Sequence, residues 1–338
     1  MADFDPNGVG LKGALFGLPY TVNEAKIVVL PVPWDVTVSY RSGTCKAPAQ
    51  MLDESSQIDY FLLDKPHAWK TAIAMAEIPG VWQSLSENLR LKAVEYINWL
   101  EDGSPSEQRD AMLVYLKEIN DECTQLMRYV EQESSYYRDR DQKTILLGGD
   151  HSTPLGHIKA CLSTKLGKPV GILQIDAHAD LRKAYEGFKY SHASVMWNVL
   201  QETNVDKLVQ LGVRDLCEEE AAYIRDDERI TTFYHQTVRD RLFHGEYWSV
   251  LCDEIIHNLP QHVYVSVDID GLNPSLCPQT GTPVPGGLTF DELTFLFTAL
   301  KKSGKEVIGA DLVEVGNAEW DANVGARVLW QLVHLMDE

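Results

Sequence analysis

Short apolar runs rich in β-branched residues recur along the chain, each ending in a polar or glycine-containing loop. They occupy residues 27–30, 144–147, 171–175, 208–213, 230–234, 263–267 and 307–313. Runs this short, apolar at successive positions, predict strands buried on both faces of a parallel sheet. Helical stretches lie between several of them. The pattern therefore predicts an α/β fold, three-layer α/β/α with a mainly parallel sheet.

Residues 84–138 follow another rhythm. Ser84 with Glu87 has capping-box spacing, and so has Ser104 with Glu107, where Pro105 would take the first helical position. Beyond the second pair, Met112, Leu116, Ile119, Cys123, Leu126 and Val130 fall four and three apart, which is one apolar stripe on a long helix. The segment reads as a helical insertion packed on a single domain spanning 1–338. Gly8, Gly10 and Gly13 match the G-x-G-x-x-G spacing, but no predicted strand precedes them. Without a βαβ unit the pattern carries no dinucleotide chemistry, and a flexible start is expected instead.

Composition narrows the function classes. Of the 338 residues, 50 are acidic and 30 basic, a formal net charge of -20. A nucleic-acid binder needs a basic face to displace counterions from phosphates, so that class is excluded. A cationic small molecule would be drawn toward such a surface. Cys45, Cys123, Cys161, Cys217, Cys252 and Cys277 are scattered with no C-x-x-C pair, which predicts neither a disulfide framework nor a zinc ribbon. The start, MADFDPNGVG, lacks the basic and apolar regions of a signal peptide. No apolar stretch approaches the roughly 20 residues that span a bilayer. A soluble, cytoplasmic protein without a membrane partner is expected.

Three clusters of candidate chemistry follow predicted strands: Gly148-Gly149-Asp150-His151-Ser152, Asp176-Ala177-His178-Ala179-Asp180 and Asp268-Ile269-Asp270. In an open parallel sheet, ligands bind outside the carboxyl ends of the strands, so all three point to one edge. The two-residue period of Asp176, His178 and Asp180, and of Asp268 and Asp270, places them on one side while the backbone stays extended. With His151 the edge offers two imidazoles and four carboxylates. Unpaired, four carboxylates would repel one another and rise in pKa. A pair of divalent cations sharing bridging carboxylates removes the conflict. Oxygen and imidazole donors without thiolate suit two Mn2+ ions, with iron, nickel, cobalt and zinc as alternatives.

GGDHS, DAHAD and SVDIDGLNPS, in this order, resemble the signature motifs of the ureohydrolase (arginase/agmatinase) family. The likeness continues in Pro33-Trp34-Asp35, in Arg41-Ser42-Gly43-Thr44, in the run TGTPVPGGL at 280–288 and in Asp311-Leu312-Val313-Glu314-Val315. It omits only the extreme N-terminus and the helical insertion. The resemblance implies an arginase-like fold, a binuclear manganese site and a homotrimer or homohexamer. It further implies that His151, Asp176, Asp180 and Asp268 hold one metal, and that Asp176, His178, Asp268 and Asp270 hold the other. Glu314 matches the family's guanidinium-gripping carboxylate and His192 its proton-relaying histidine.

The chemistry expected is hydrolysis of a guanidino carbon–nitrogen bond to urea and an amine, with Asp180 passing a proton to the departing nitrogen. The loop 181–194 resembles that of agmatinases, and the asparagine and Ser-Gly-Asn typical of arginases are absent. A guanidino amine such as agmatine is the expected partner, with guanidine, a guanidino acid, arginine and formiminoglutamate as alternatives. Two departures from the family are the Val315-Gly316-Asn317 that follows Glu314, where Asn-Pro is common, and the length of the insertion. Two rival classes are a non-catalytic structural or regulatory relative and a two-metal phosphoesterase. The latter would need cations beside the metals, for which Arg182 and Lys183 are the nearby candidates.

Overall fold

Eight strands, β1 (Ile27–Val32), β2 (Ile73–Met75), β3 (Lys143–Gly148), β4 (Val170–Ile175), β5 (Lys207–Leu211), β6 (Ile230–Phe233), β7 (His262–Asp268) and β8 (Glu306–Val313), form one sheet in the order β2-β1-β3-β8-β7-β4-β5-β6. Every neighbouring pair is parallel, so all carboxyl ends share one edge. The computed structural model describes residues 4–337; the first three residues of the N-terminal stretch read above lie outside the described residues. Among those described, the helices are α1 (Ala47–Glu54), α2 (Gly80–Glu101), α3 (Arg109–Arg138), α4 (Leu155–Ser163), α5 (Val195–Glu202), α6 (Glu218–Asp226), α7 (His235–Phe243), α8 (Trp248–His257), α9 (Phe290–Lys302) and α10 (Glu319–Met336). None is long and apolar enough to cross a membrane.

Successive strand side chains alternate between two apolar layers, as the pleat requires. Leu147 of β3, Leu173 of β4 and Val265 of β7 pack with Met51, Leu251, Leu293 and Trp330 of α1, α8, α9 and α10. Leu146, Ile172 and Tyr264, one position away, pack on the other face with Leu89, Ile119, Ile158 and Val199 of α2 to α5. Three layers result, α/β/α. The seven apolar runs correspond to β1 and to β3 through β8, although β5 stops at Leu211 and β6 at Phe233. β2 is a three-residue edge strand, too short to declare itself by period.

Both predicted caps of the helix pair are displaced. α2 begins at Gly80 rather than beside Ser84, because Trp82 in its first turn packs 6.0 Å from Trp34 and 5.3 Å from Tyr129. Ser104 does not cap α3. It has φ 59 and, with Gly103 at φ 82, it closes α2 by donating its N–H to Trp99 O at 2.9 Å, a Schellman ending. α3 starts only at Arg109, after a 3-10 turn, so Pro105 precedes the helix. Of the predicted stripe, Met112, Ile119, Cys123, Leu126 and Val130 are buried, and Leu116 is half-buried. The start of the chain is tied down where flexibility was expected: the Phe4 ring lies 6.2 Å from Tyr60 and 5.8 Å from Trp69. All six cysteines are free thiols.

A buried histidine links α4 to the sheet and gives the fold a pH dependence. His157 is fully buried between Tyr264 Oη (2.7 Å) and Thr144 Oγ1 (2.8 Å). Burial, helped by the Arg138 charge, pushes its pKa down to about 3. Unfolding lets the imidazole take up a proton, so between pH 6.5 and about 3 the unfolded chain binds the extra proton. This contribution to stability is complete above pH 6.5 and is lost as pH falls toward 3, by up to about 1.4 kcal/mol per pH unit. Denaturant melts at pH 7 and pH 5 should therefore show a smaller difference in His157→Gln than in the parent protein.

Candidate metal centre

The four strands at the middle of the sheet, β3, β8, β7 and β4, deliver the six candidate metal ligands and Glu314 to the carboxyl edge. His151 follows β3 through a turn that only glycine permits, since a Cβ on Gly149 would lie 1.9 Å from Trp34 O. Asp176, His178 and Asp180 follow β4. Asp268 ends β7, Asp270 follows two residues on, and Glu314 is the first residue beyond β8.

These side chains assemble into two groups that share Asp176. In the first, His151 Nδ1 faces Asp180 Oδ2 at 2.9 Å, Asp176 Oδ2 at 3.0 Å and Asp268 Oδ2 at 3.3 Å. In the second, His178 Nδ1 stands 3.1 Å from Asp270 Oδ2 and 3.6 Å from Asp176 Oδ1. Asp176 thus turns one oxygen to each group. Asp268 appears beside the first, with its Oδ1 accepting the N–H of Asp270 at 2.9 Å.

The period-two argument does not describe how they meet. Asp180 has left-handed backbone (φ 55) and Asp270 sits in a 3-10 turn, so both chains leave the extended state. In consequence Asp176 and Asp180 serve the first group, while His178 between them serves the second. Asp180 and Glu314 (φ 59) are two of the six non-glycine residues with positive φ among the described residues. Such conformations persist where surrounding structure enforces them, commonly at functional sites.

One imidazole nitrogen cannot satisfy three carboxylates. A single proton on His151 Nδ1 could reach one of them, and the atom has no hydrogen-bond partner of good geometry. Its other nitrogen, Nε2, is committed to Ser266 Oγ at 3.0 Å, and Ser266 donates onward to Asp311 Oδ1 at 3.0 Å. With the proton on Nε2, the Nδ1 lone pair is left aimed at the carboxylates, which is the arrangement a cation requires. Charge points the same way. Burial and then Asp270 and Asp176 push Asp268 well up, and burial and Asp176 push Asp180 up to about 7. Burial would also raise Asp176, but the neighbouring His151 and His178 side chains hold it below the ordinary range. His178 is pushed up to about 12: burial opposes the rise, and Asp270 and Asp176 outweigh it. The donor set fits two hard or borderline divalent ions.

Polar residues hidden inside apolar strands support the site, and the sequence alone assigned them no role there. Asp311, Ser266, Gln174, Gln210 and Thr232 are register partners in a row across β8, β7, β4, β5 and β6. Gln174 Nε2 donates to Asp176 Oδ2 (2.8 Å), Gln210 Nε2 to Gln174 Oε1 (2.7 Å), and Thr232 Oγ1 to Gln210 Oε1 (2.7 Å). A glutamine, serine or aspartate within a run otherwise buried on both faces was the available signal. Removing the hydroxyl in Ser266→Ala should free the His151 ring and weaken metal binding by about 10- to 100-fold. Competition with a chromogenic chelator measures this.

Glu314 and His192 line the same cavity, of about 280 Å³, with Ser39, Tyr40, Arg182 and Tyr185 among the other walls. Glu314 Oε1 accepts the His151 N–H at 3.0 Å, while its Oε2 is buried without a partner. Burial, then the nearby Asp150, pushes its pKa well up, so an incoming cation would find a carboxylate in need of one. His192 Nε2 lies 3.4 Å from Ser39 Oγ and its N–H donates to Thr37 Oγ1 at 3.2 Å. Burial, then the charge of His178, holds it down at about 3, a neutral base. Arg182 is the single lysine or arginine on the wall among the described residues. It rests over the Tyr185 ring (4.8 Å), 3.7 Å from Glu220. Lys183 lies over Trp197 at 5.4 Å and is not on the wall. Arg214, also unforeseen, spends its donors on carbonyls, including Asp270 O (2.6 Å) and Val284 O (3.0 Å), and so ties the third cluster to the loop at 282–285.

The Arginase family model matches residues 25–335. The chain belongs to the Arginase family. It is 30% identical over 312 residues to an N(1)-aminopropylagmatine ureohydrolase of Thermus thermophilus, covering 92% of this chain and 89% of that protein. It is 28% identical over 294 residues to an agmatinase of Bacillus cereus, covering 86% and 84%. The fold is also that of the agmatine ureohydrolase of Thermoplasma volcanium, with a TM-score of 0.70 at 22% identity over 99% of this chain and 96% of that one. At that identity the likeness speaks for the family's α/β/α architecture alone. The family membership agrees with the resemblance read from the three motifs.

Proposed function

We propose that this chain is a binuclear-metal hydrolase that cleaves a guanidino carbon–nitrogen bond to urea and an amine, acting as a single catalytic domain. The observation that carries the reading is a carboxylate, Asp176, shared between two histidine–aspartate groups beside the unpartnered Oε2 of Glu314. His151, Asp176, Asp180 and Asp268 are assigned to one ion and Asp176, His178, Asp268 and Asp270 to the other, with manganese the expected metal and nickel, iron or cobalt as substitutes. Bound there, two such ions supply the acidity that yields hydroxide from water near neutral pH.

The chain's own residues do the rest. Glu314 grips the planar guanidinium through charge-assisted hydrogen bonds and holds its central carbon toward the metal groups. After attack the departing nitrogen needs a proton, a role assigned to the Asp180 carboxyl group. Exchange of protons with solvent is assigned to His192, which lines the cavity 3.4 Å from Ser39 Oγ. The scarcity of free cations on the wall speaks against phosphoryl transfer, since Arg182 already stands between Glu220 and Tyr185.

A guanidino amine is the proposed substrate, supported by relatives named for agmatine and N(1)-aminopropylagmatine. A cytoplasmic homotrimer or homohexamer is the proposed assembly. Urea release should be measured with agmatine, N(1)-aminopropylagmatine, arginine, a guanidino acid and guanidine, with manganese and then nickel, and formamide release with formiminoglutamate. Turnover of a guanidino amine is the expected result. Turnover confined to the acids or to guanidine overturns the substrate assignment, and turnover of none overturns the hydrolase.

A further inference from the structure

The helix pair α2–α3 reaches both loops that shape the mouth of the cavity, and it bonds to each from outside. From α2, Arg90 Nη1 donates to Val36 O at 3.1 Å and Val38 O at 2.5 Å, and Ser86 Oγ accepts the Asp35 N–H at 3.2 Å. That loop carries Thr37 and Ser39, two of the hydroxyls against His192, and Tyr40 on the cavity wall. From α3, Asn120 spans the second loop, its Nδ2 donating to Gly187 O at 3.1 Å and its Oδ1 accepting the Lys189 N–H at 2.8 Å.

The second loop is a tight hairpin held at its tip. Tyr185 and Phe188 exchange backbone hydrogen bonds of 3.3 and 2.9 Å, and Glu186 and Gly187 are both left-handed (φ 53 and 83), a type I′ turn. A Cβ on Gly187 would stand 3.0 Å from Tyr96 Oη and 3.2 Å from Leu116, so the turn is pressed against both helices. The buried Phe188 ring lies 5.5 Å from Tyr96. At the base of this hairpin Arg182 and Tyr185 face the cavity, with the Tyr185 ring 6.1 Å from that of His192. The tip is fixed by the helices and the base forms the wall.

We infer that the α2–α3 pair is a brace that sets the cavity mouth, with Asn120 and Arg90 as positioning residues determining which substrate tail is admitted. Two loops from distant parts of the chain are locked to one rigid element, so a change in that element moves both walls together. Neither Asn120 nor Arg90 touches the metal groups, so their loss should spare metal binding and the handling of the guanidino head. The substrate half of this inference rests on the hydrolase reading; the bracing half does not.

The test uses the full-length, manganese-loaded protein and the variants Asn120→Ala, Asn120→Asp and Arg90→Met, with Lys117→Ala on the exposed face of α3 as control. Asn120→Asp keeps the acceptor for Lys189 and loses the donor to Gly187, so it should fall between parent and alanine. In Asn120→Ala, hydrogen–deuterium exchange at the Lys189 amide should quicken by about tenfold, what two ordinary hydrogen bonds are worth. The KM for agmatine should rise by a similar factor, with kcat and metal content unchanged and with kcat/KM for free guanidine within about twofold of the parent. Arg90→Met should show the same split without quickening exchange at Lys189. Unaltered exchange at 185–190 in Asn120→Ala overturns the brace, and so does an equal fall in kcat for agmatine and guanidine. A parent protein that hydrolyses neither compound refutes the hydrolase reading, and the exchange result then decides the brace by itself.

Discussion

Asp268→Asn should abolish turnover and strip metal from the protein. The substitution keeps the shape of the side chain, and the amide oxygen can still accept the Asp270 N–H that Oδ1 accepts now at 2.9 Å. It removes the negative charge 3.3 Å from His151 Nδ1 and, if the amide nitrogen takes the Oδ2 position, turns a donor toward the metal groups. Loss of one preorganised electrostatic partner alone costs on the order of 10²–10³ in kcat, and loss of a ligand adds the cost of an emptied site. Urea release and metal content after gel filtration measure both effects. Thermal stability should hold or rise in the metal-free state, because burial and neighbouring carboxylates already oppose the Asp268 charge. Full activity with full metal content would refute the ligand assignment.

Glu314→Gln should separate substrate binding from metal binding. The Gln amide oxygen can still accept the His151 N–H where Oε1 does at 3.0 Å, so the turn after β3 is retained. The buried, unpartnered Oε2 becomes an NH2 donor facing a guanidinium that carries only donors. Breaking one partner of a buried charged pair costs ~3–4 kcal/mol, so kcat/KM should fall by roughly 10²- to 10³-fold. Metal content should stay at the parental level. The loss should be similar for agmatine and for free guanidine, since the grip proposed for Glu314 is on the head group both share. That pattern is the opposite of the one expected for Asn120→Ala, which spares guanidine.

Much of the fold was legible because a central parallel strand has little freedom in composition. Runs such as 171–175 and 263–267 are apolar on both faces and end in charge, and β4 and β7 stand where they were read. The same rule explains what was missed. β2 has three residues at an edge, and three residues show no period. Ser84 and Ser104 have the composition of caps, but Trp82 drew the start of α2 forward and Gly103 turned Ser104 into part of a helix ending. Tertiary packing and a left-handed glycine outweighed a local spacing.

The candidate site was legible in content and not in geometry. The motifs named the six residues now found at one edge, and parallel strands brought them together. Their division into two groups follows from the left-handed turn at Asp180 and the 3-10 turn at Asp270, which no spacing rule anticipates. Gln174, Gln210 and Ser266 were visible as polar letters in apolar strands. Their part in orienting Asp176 and His151 needed the register that places them side by side. The reach of α2–α3 to the cavity mouth was out of view for a similar reason. Asn120 lies 67 residues from Gly187, and nothing local marks it as a partner.

Anomalous diffraction from crystals soaked in manganese tests the central claim most directly. Two peaks are predicted, one beside His151 and Asp180 and one beside His178 and Asp270, with Asp176 between them. A single peak, or density elsewhere with none at this edge of the sheet, would contradict the two-ion account.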